Sequence, residues 1–300
     1  MNKNSNLFVL IFLGIIWSTF ALFTKVVAES LSPYFIAFSR LALGSSLLLA
    51  VCFFQQKKIF VVKNFRHYAI VGFFNSALPF TLFAFAAKAL DAGVVSILDG
   101  TVPMFEVLIS LLILRRHVDK NAIIGVFFGI VGTIFTSLGN DAKLAVSTDQ
   151  LVLIIAILTA TCSYAGASLY ISAKCKKIEP ISLATGSVLF AAMFLSPSLF
   201  FTSLSSIDAK TAYNLLGLGL LCTGFAYIFY FKLAAEESPR VAVSVVLLIP
   251  VFGTIFGATI FGEEVSIGKI IGCVTILISL KFILNLSRAN FFKSKEAPLV

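Results

Sequence analysis

Three ionisable residues, Arg40, Asp99 and Glu106, interrupt otherwise apolar stretches of this chain. A charge inside hydrocarbon is costly, so each marks a solute path, a proton relay or a buried charge pair. Arg40 stands seven residues past Pro33, ~10 Å along a helix at 1.5 Å per residue. Asp99 stands six residues past Gly93, ~9 Å by the same rise. The two reach a similar depth and can pair, either as a substrate or proton site or as a static ion pair. Glu106 follows Asp99 by two helical turns on the same face. It reads as a second proton site or as a carboxylic acid hydrogen-bonded to a neighbouring helix.

Pro103 sharpens the interest in Asp99. A proline inside a helix has no N–H and pushes away the carbonyl four residues back, which here belongs to Asp99. With Gly100 beside it, the helix is expected to bend at the carboxylate, and Pro250 with Gly253 to bend a later helix likewise. Broken helices near a membrane midplane offer backbone dipoles to a polar substrate. Trp17, Phe20, Tyr164, Tyr227 and Tyr230 can stack on apolar or cationic parts of a solute. Aromatic stripes more commonly pack or face lipid. Asn75 and Ser76, just before Pro79, are polar candidates because an amide in a membrane helix needs a partner.

Other chemistries lack their residues. The five cysteines are odd in number and carry no CxxC spacing, so they read as small buried hydrophobes. His67 and His117 are expected in loops, and no metal constellation is formed. There is no Walker loop and hence no sign of ATP-driven transport. An intramembrane enzyme needs paired catalytic groups at membrane depth, and a channel usually a ring of like groups. No catalytic role, metal or cofactor is expected.

The elements that position these residues follow from composition. Of 300 residues, 59% are hydrophobic and 12% charged, with a mean hydropathy of +1.02. Soluble domains carry about 25% charge. A ~30 Å hydrocarbon core takes ~20 apolar residues per helix. Ten apolar runs fall near 7–24, 34–54, 68–87, 94–114, 121–138, 151–171, 182–202, 212–232, 240–261 and 267–286. None alternates with period two, and a strand edge cannot survive in lipid, so the fold class is all-α integral membrane with ten transmembrane helices. The first run lacks a small-residue cleavage site and reads as a helix, not a signal peptide. With the N-terminus inside, sixteen of the 23 Lys and Arg lie cytoplasmic and five outside, with Arg40 and Lys281 within helices. The positive-inside rule then places both termini in the cytoplasm. The net charge of +9 therefore signals topology and lipid anchoring, not a nucleic acid. Lys25, Lys88 and Lys269 are expected to snorkel to the outer interface.

A shift of 147 residues brings Pro33 onto Pro180, Gly72 onto Gly219, Pro103 onto Pro250, and Ile123-Ile124-Gly125 onto Ile270-Ile271-Gly272. Residues 1–145 and 146–300 thus read as two five-helix repeats, joined through Asn140 to Gln150. An odd helix number inverts the second copy, the architecture of secondary transporters with a midplane site. Gly125/Gly129 and Gly268/Gly272 permit close helix contact, within a monomer or in a homodimer.

These landmarks resemble the EamA-type transporters of the drug/metabolite transporter superfamily. The resemblance rests on Gly14-Ile-Ile-Trp17-Ser-Thr-Phe ending in Lys25, Pro33 to Arg40, Asn75 to Phe80, and Ala92 to Pro103. In the second half it rests on Ala226 to Phe231, Val243 to Gly253, and Phe261-Gly-Glu263. It implies an inner-membrane carrier with a cavity between the repeats, exporting amino acids or related small molecules by alternating access. Protons are one candidate coupling ion. Uptake or exchange of a nucleotide-derived or other host metabolite is the alternative. Two departures stand out: Asp99 replaces the usual Asn before the fourth-helix proline, and Arg116 stands where the first repeat usually has a Glu, as Glu263 is in the second.

Overall fold

The structure, a computed structural model, describes residues 3–57, 62–115, 120–138, 147–202, 207–230, 245 and 248–283. Among these residues there are helices and short connections and no strand. Seven helices are long and apolar enough to cross a membrane. They are α1 (Phe8–Ala28), α2 (Pro33–Phe54), α3 (Phe65–Ala86), α4 (Ala92–Leu112), α6 (Thr148–Lys174), α7 (Pro180–Phe201) and α8 (Ala209–Tyr230). Three shorter apolar helices complete the described set: α5 (Lys120–Leu138), α9 (Ile249–Phe261) and α10 (Ile267–Ile283). Arg116, His117, residues 140–146 of the inter-repeat connection, residues 240–244 of the expected ninth helix and the chain beyond 283 lie outside the described residues. His67, expected in a loop, instead lies in the first turn of α3, because the helix starts at Phe65.

Local chemistry sets the helix ends. Ser32 caps α2 by accepting the Phe35 N–H at 3.3 Å, with Pro33 in the first position, where no N–H is required. Ser147 caps α6 through the Gln150 N–H at 3.2 Å, and Asp208 caps α8 through the Thr211 N–H at 2.8 Å. Gly262, at φ +64°, ends α9 in the left-handed conformation that favours glycine. Inside the helices, hydroxyls bond back to carbonyls, as Thr24 does to Phe20 at 2.6 Å. A polar side chain is thereby satisfied without water.

The 147-residue offset recurs in the backbone. α2 and α7 start at 33 and 180, and α5 and α10 at 120 and 267. α3 carries a π-helical segment at Phe73–Ala77, and α8 carries one at Gly217–Phe225 that includes the shifted positions. Side contacts recur as well. A Cβ at Gly72 would strike the Ser187 carbonyl of α7, and one at Gly219 would crowd the Arg40 carbonyl of α2. Between α5 and α10, Gly129 lies against Ser279, Gly132 against Ile276, and Gly272 against Thr136. These small residues bring helices of one chain together, which van der Waals packing in lipid requires.

The main core runs between α1, α3, α4, α6 and α8 and includes Leu13, Val27, Phe83, Leu98, Ile157 and Leu218. Phe53, Phe54, Phe127, Phe200 and Phe201 point outward, a pattern that suits lipid and not water. One end of the bundle is tied by Lys57 to Glu179 at 2.6 Å and by the His67 Nδ1 to Tyr170 hydroxyl contact at 2.9 Å. The opposite end carries Lys25, Asp91, Glu263 and Lys269.

Candidate functional site

The central site is built on irregular backbone. α4 is interrupted at Gly100 and Thr101, between segments Ala92–Asp99 and Val102–Leu112. Pro103 is the second residue of the resumed helix, so its missing N–H falls where helices lack a partner anyway. The Thr101 hydroxyl donates to the Leu98 carbonyl at 2.7 Å, serving part of the broken turn. Asp99 closes the first segment, half-buried. Pro250 holds the same place at the start of α9, with residues 246 and 247 before it outside the described residues.

The π-helical segments supply the other walls. A wide turn displaces carbonyls from the usual ladder, and such bulges recur at functional sites. In α8, the Thr223 hydroxyl donates to the Leu218 carbonyl five residues back at 3.0 Å. The same oxygen accepts from Arg40 Nε at 2.8 Å. In α3, the Phe74 carbonyl accepts from the Ser163 hydroxyl of α6 at 2.6 Å. Asn75 and Ser76 lie in that segment and face the Tyr227 hydroxyl of α8.

Arg40 is 8% exposed, and its guanidinium carbon stands 3.7 Å from the Phe80 ring centroid and 5.8 Å from that of Phe20. A guanidinium on an aromatic face is attracted by the ring quadrupole, more strongly when desolvated. The expected contact with Asp99 is not an ion pair: no Arg40 nitrogen comes within 4 Å of the carboxylate. Arg40 is instead turned toward Thr223 and Phe80, and its charge reaches Asp99 only at longer range. Tyr164 of α6 lies within the fields of Arg40, Asp99 and Tyr227, its ring stacked on Phe83 at 6.0 Å.

Glu106 is hydrogen-bonded to Ser168 of α6, and its charge reaches Tyr230. Tyr230 packs on Trp17 at 5.2 Å, and Trp17 Nε1 donates to the Cys222 carbonyl at 3.2 Å. Arg40, Asp99, Tyr164, Tyr227, Tyr230, Glu106, Trp17 and Asn75 are thus linked through one another. Sequence reasoning missed Thr223, Phe80 and Ser168. The two glycines flanking the Thr223 region, Gly219 and Gly224, are the trace of close packing that the sequence does carry.

At one end of the bundle, a second charged group corrects the snorkelling expectation. Lys25 donates to Glu263 Oε1 at 2.6 Å, and Lys269 donates to Asp91 Oδ2 at 2.5 Å and to the Glu264 carbonyl at 2.9 Å. Glu263 also accepts the Ala92 N–H at 2.8 Å and the Gly93 N–H at 3.0 Å, with one oxygen for each. A carboxylate there complements the positive end of α4. These lysines are ion-paired, because Glu263 and Asp91 are carried to them by the α9–α10 and α3–α4 connections. Among the described residues no three His, Cys, Asp or Glu side chains are grouped to hold a metal ion.

Membrane-length apolar helices, with their few charges gathered at the centre and the ends, define a multi-pass membrane protein. The EamA-like transporter family matches residues 4–138 and again residues 151–285, two stretches 147 residues apart, and the chain belongs to that family. An uncharacterized transporter, YoaV, of Bacillus subtilis is 25% identical over 87% of this chain and 90% of its own length. An uncharacterized transporter of Archaeoglobus fulgidus is 24% identical over 87% of this chain and 92% of its own. The protein PagO of Salmonella typhimurium is 20% identical over 93% of each. A solved crystal structure with 16% identity superposes at a TM-score of 0.68, covering 96% of this chain and 99% of that one, which is a likeness of fold. The protein is a membrane transporter of small molecules.

Proposed function

We propose that the chain is a secondary transporter that moves small metabolites across the bacterial inner membrane by alternating access. Efflux of amino acids or related compounds is the reading the site supports best. The observation that carries it is the bond between Arg40 of the first half and Thr223 of the second, set among two π-helical segments and the break in α4. A charge and an irregular backbone where two halves meet are what a carrier needs to release and rebind a polar solute.

In this reading ten helices cross the membrane, as inverted five-helix repeats spanning 1–145 and 146–300 with both termini cytoplasmic. Support comes from contacts between equivalent helices. Cys52, near the end of α2, touches Thr185, near the start of α7, at 3.2 Å, so these counterparts run in opposite directions. In α5 and α10, the contact of Gly129 with Ser279 turns into that of Gly132 with Ile276 under the 147-residue shift. Such reciprocity is the mark of a two-fold axis. Asp99 and Glu106 are the candidate proton carriers.

Purified protein in proteoliposomes, loaded with a mixed pool of metabolites, tests the proposal. Wild type is expected to release amino acids faster under an applied pH gradient, and Asp99→Asn to change that pH response while leaving insertion intact. Unchanged rates for Asp99→Asn at every pH would remove Asp99 from the proton path. Counterflow that requires solute on both sides would replace efflux with exchange, including that of a nucleotide-derived metabolite.

A further inference from the structure

We propose that the Arg40 guanidinium is the subsite for a carboxylate of the transported solute, held in position by Thr223 and Phe80. The inference rests on reading the chain as a solute carrier. Arginine has five N–H donors in a rigid planar fork. Among the described residues, only Nε of Arg40 is bonded, to the Thr223 hydroxyl at 2.8 Å. One face of the plane is covered by Phe80, with the centroid 3.7 Å away. The edge left over carries the two Nη groups side by side, the geometry that receives both oxygens of a carboxylate.

Charge points the same way. A cation at 8% exposure in a membrane bundle needs an anion close by, and the Asp99 carboxylate stands beyond ion-pair distance. A carboxylate fits better than a phosphate. Arg40 is the only buried basic side chain among the described residues besides Lys269, which is engaged at the bundle end. One guanidinium offsets one negative charge, and the nearby Asp99 opposes a second.

Thr223 and Phe80 act as positioning residues. The Thr223 proton is committed to the Leu218 carbonyl, so a lone pair is aimed at Nε. That carbonyl, five residues back, comes within reach because the turn is π-helical. The positions equivalent to Arg40 and Thr223 in the other half are Ser187 and Ser76, so the fork occurs once and the solute is bound in one orientation.

The test uses full-length protein in proteoliposomes, with L-leucine, L-phenylalanine and L-threonine each compared with its own carboxamide. Wild type is expected to move at least one acid about tenfold or more faster than its amide, the size of effect that losing a charged hydrogen-bond partner produces. Arg40→Gln should abolish that preference by slowing the acid and not the amide. Thr223→Val should raise KM for the acid several-fold with kcat little changed, and Thr223→Ser should restore it. The wild-type comparison requires no variant to fold. Equal rates for acid and amide in wild type, or a preference that survives Arg40→Gln, would overturn the subsite. Flux only of solutes that carry no carboxylate, from a metabolite mixture, would overturn it and leave the carrier reading intact. Absence of flux for every solute would overturn both.

Discussion

Lys25 and Glu263 are 238 residues apart in sequence and 2.6 Å apart in the structure. The Glu263 side chain is 6% exposed, and its second oxygen is engaged by the backbone of α4. One carboxylate thereby fastens the end of α1, the start of α4 and the α9–α10 connection to one another. The contact closes one end of the bundle between its two sequence halves, and the sequence position equivalent to Glu263 after the 147-residue shift is Arg116.

Glu263→Gln is expected to lower stability by roughly 1–3 kcal/mol, because it removes the carboxylate 2.6 Å from Lys25, which then keeps only Asp91 at 3.9 Å. Lys25→Met should cost less, since the Ala92 and Gly93 N–H groups still satisfy Glu263. In the double variant the costs should add to less than their sum, with a coupling of about 1 kcal/mol for residues in direct contact. Unfolding in mixed detergent micelles measures all three. Strict additivity would show that the two side chains act independently.

How far the site was readable depended on residue type. Arg40, Asp99 and Glu106 stood out because a charge in an apolar run is rare, and the irregular turn beside Asp99 was announced by Gly100 and Pro103. Thr223, Phe80 and Ser168 did not stand out, because threonine, phenylalanine and serine are common in this chain and gain meaning only from partners on other helices. The π-helical segments have no local signature, since an extra residue in a turn is decided by packing. Lys25 and Lys269 were misread for a related reason: their partners lie 238 and 178 residues away, beyond any local pattern.

The α5–α10 contact predicts a contrast between two glycines. A Cβ at Gly132 would meet the Ile276 side chain at 2.7 Å and the Gly272 carbonyl at 3.0 Å, with backbone on one side and a packed helix on the other. Gly132→Val should therefore destabilise by about 1–3 kcal/mol, the usual cost of overpacking. Gly166 has nothing within 4 Å of its Cβ position. Gly166→Ala should leave stability unchanged or raise it by up to ~1 kcal/mol through helix propensity. Thermal unfolding in detergent separates the two, and equal losses would argue against a tight α5–α10 seam.

Asp208 caps α8 from outside the spans, and its hydrogen bonds to Thr211 hold its pKa below the ordinary aspartate range. A depressed folded pKa means that the cap contributes fully above the unfolded value and is lost as pH falls through the folded one. Hydrogen exchange of the first α8 amides, corrected for intrinsic rate, should accelerate as pH drops below about 4. Asp208→Asn should keep a cap that does not titrate, and so flatten this dependence. A wild-type profile that is already flat would place the helix start under other control.

The proposed inversion of the repeats makes a prediction that no choice of substrate affects. Ser30, beside Thr211 at 3.4 Å, lies at the same bundle end as Lys210. Its equivalent after the 147-residue shift is Lys177, just before Glu179, whose partner Lys57 marks the opposite end. Gln55 and Thr202 form a second equivalent pair. With the lysine-rich end inside, as the positive-inside rule requires, Ser30→Cys and Thr202→Cys should react with an impermeant maleimide on intact cells. Lys177→Cys and Gln55→Cys should react only after lysis. The measurement is made in a background with the five native cysteines replaced, all of which are free thiols. Members of a pair labelling from the same side would rule out inversion, and a full reversal of sides would keep inversion but move both termini outside.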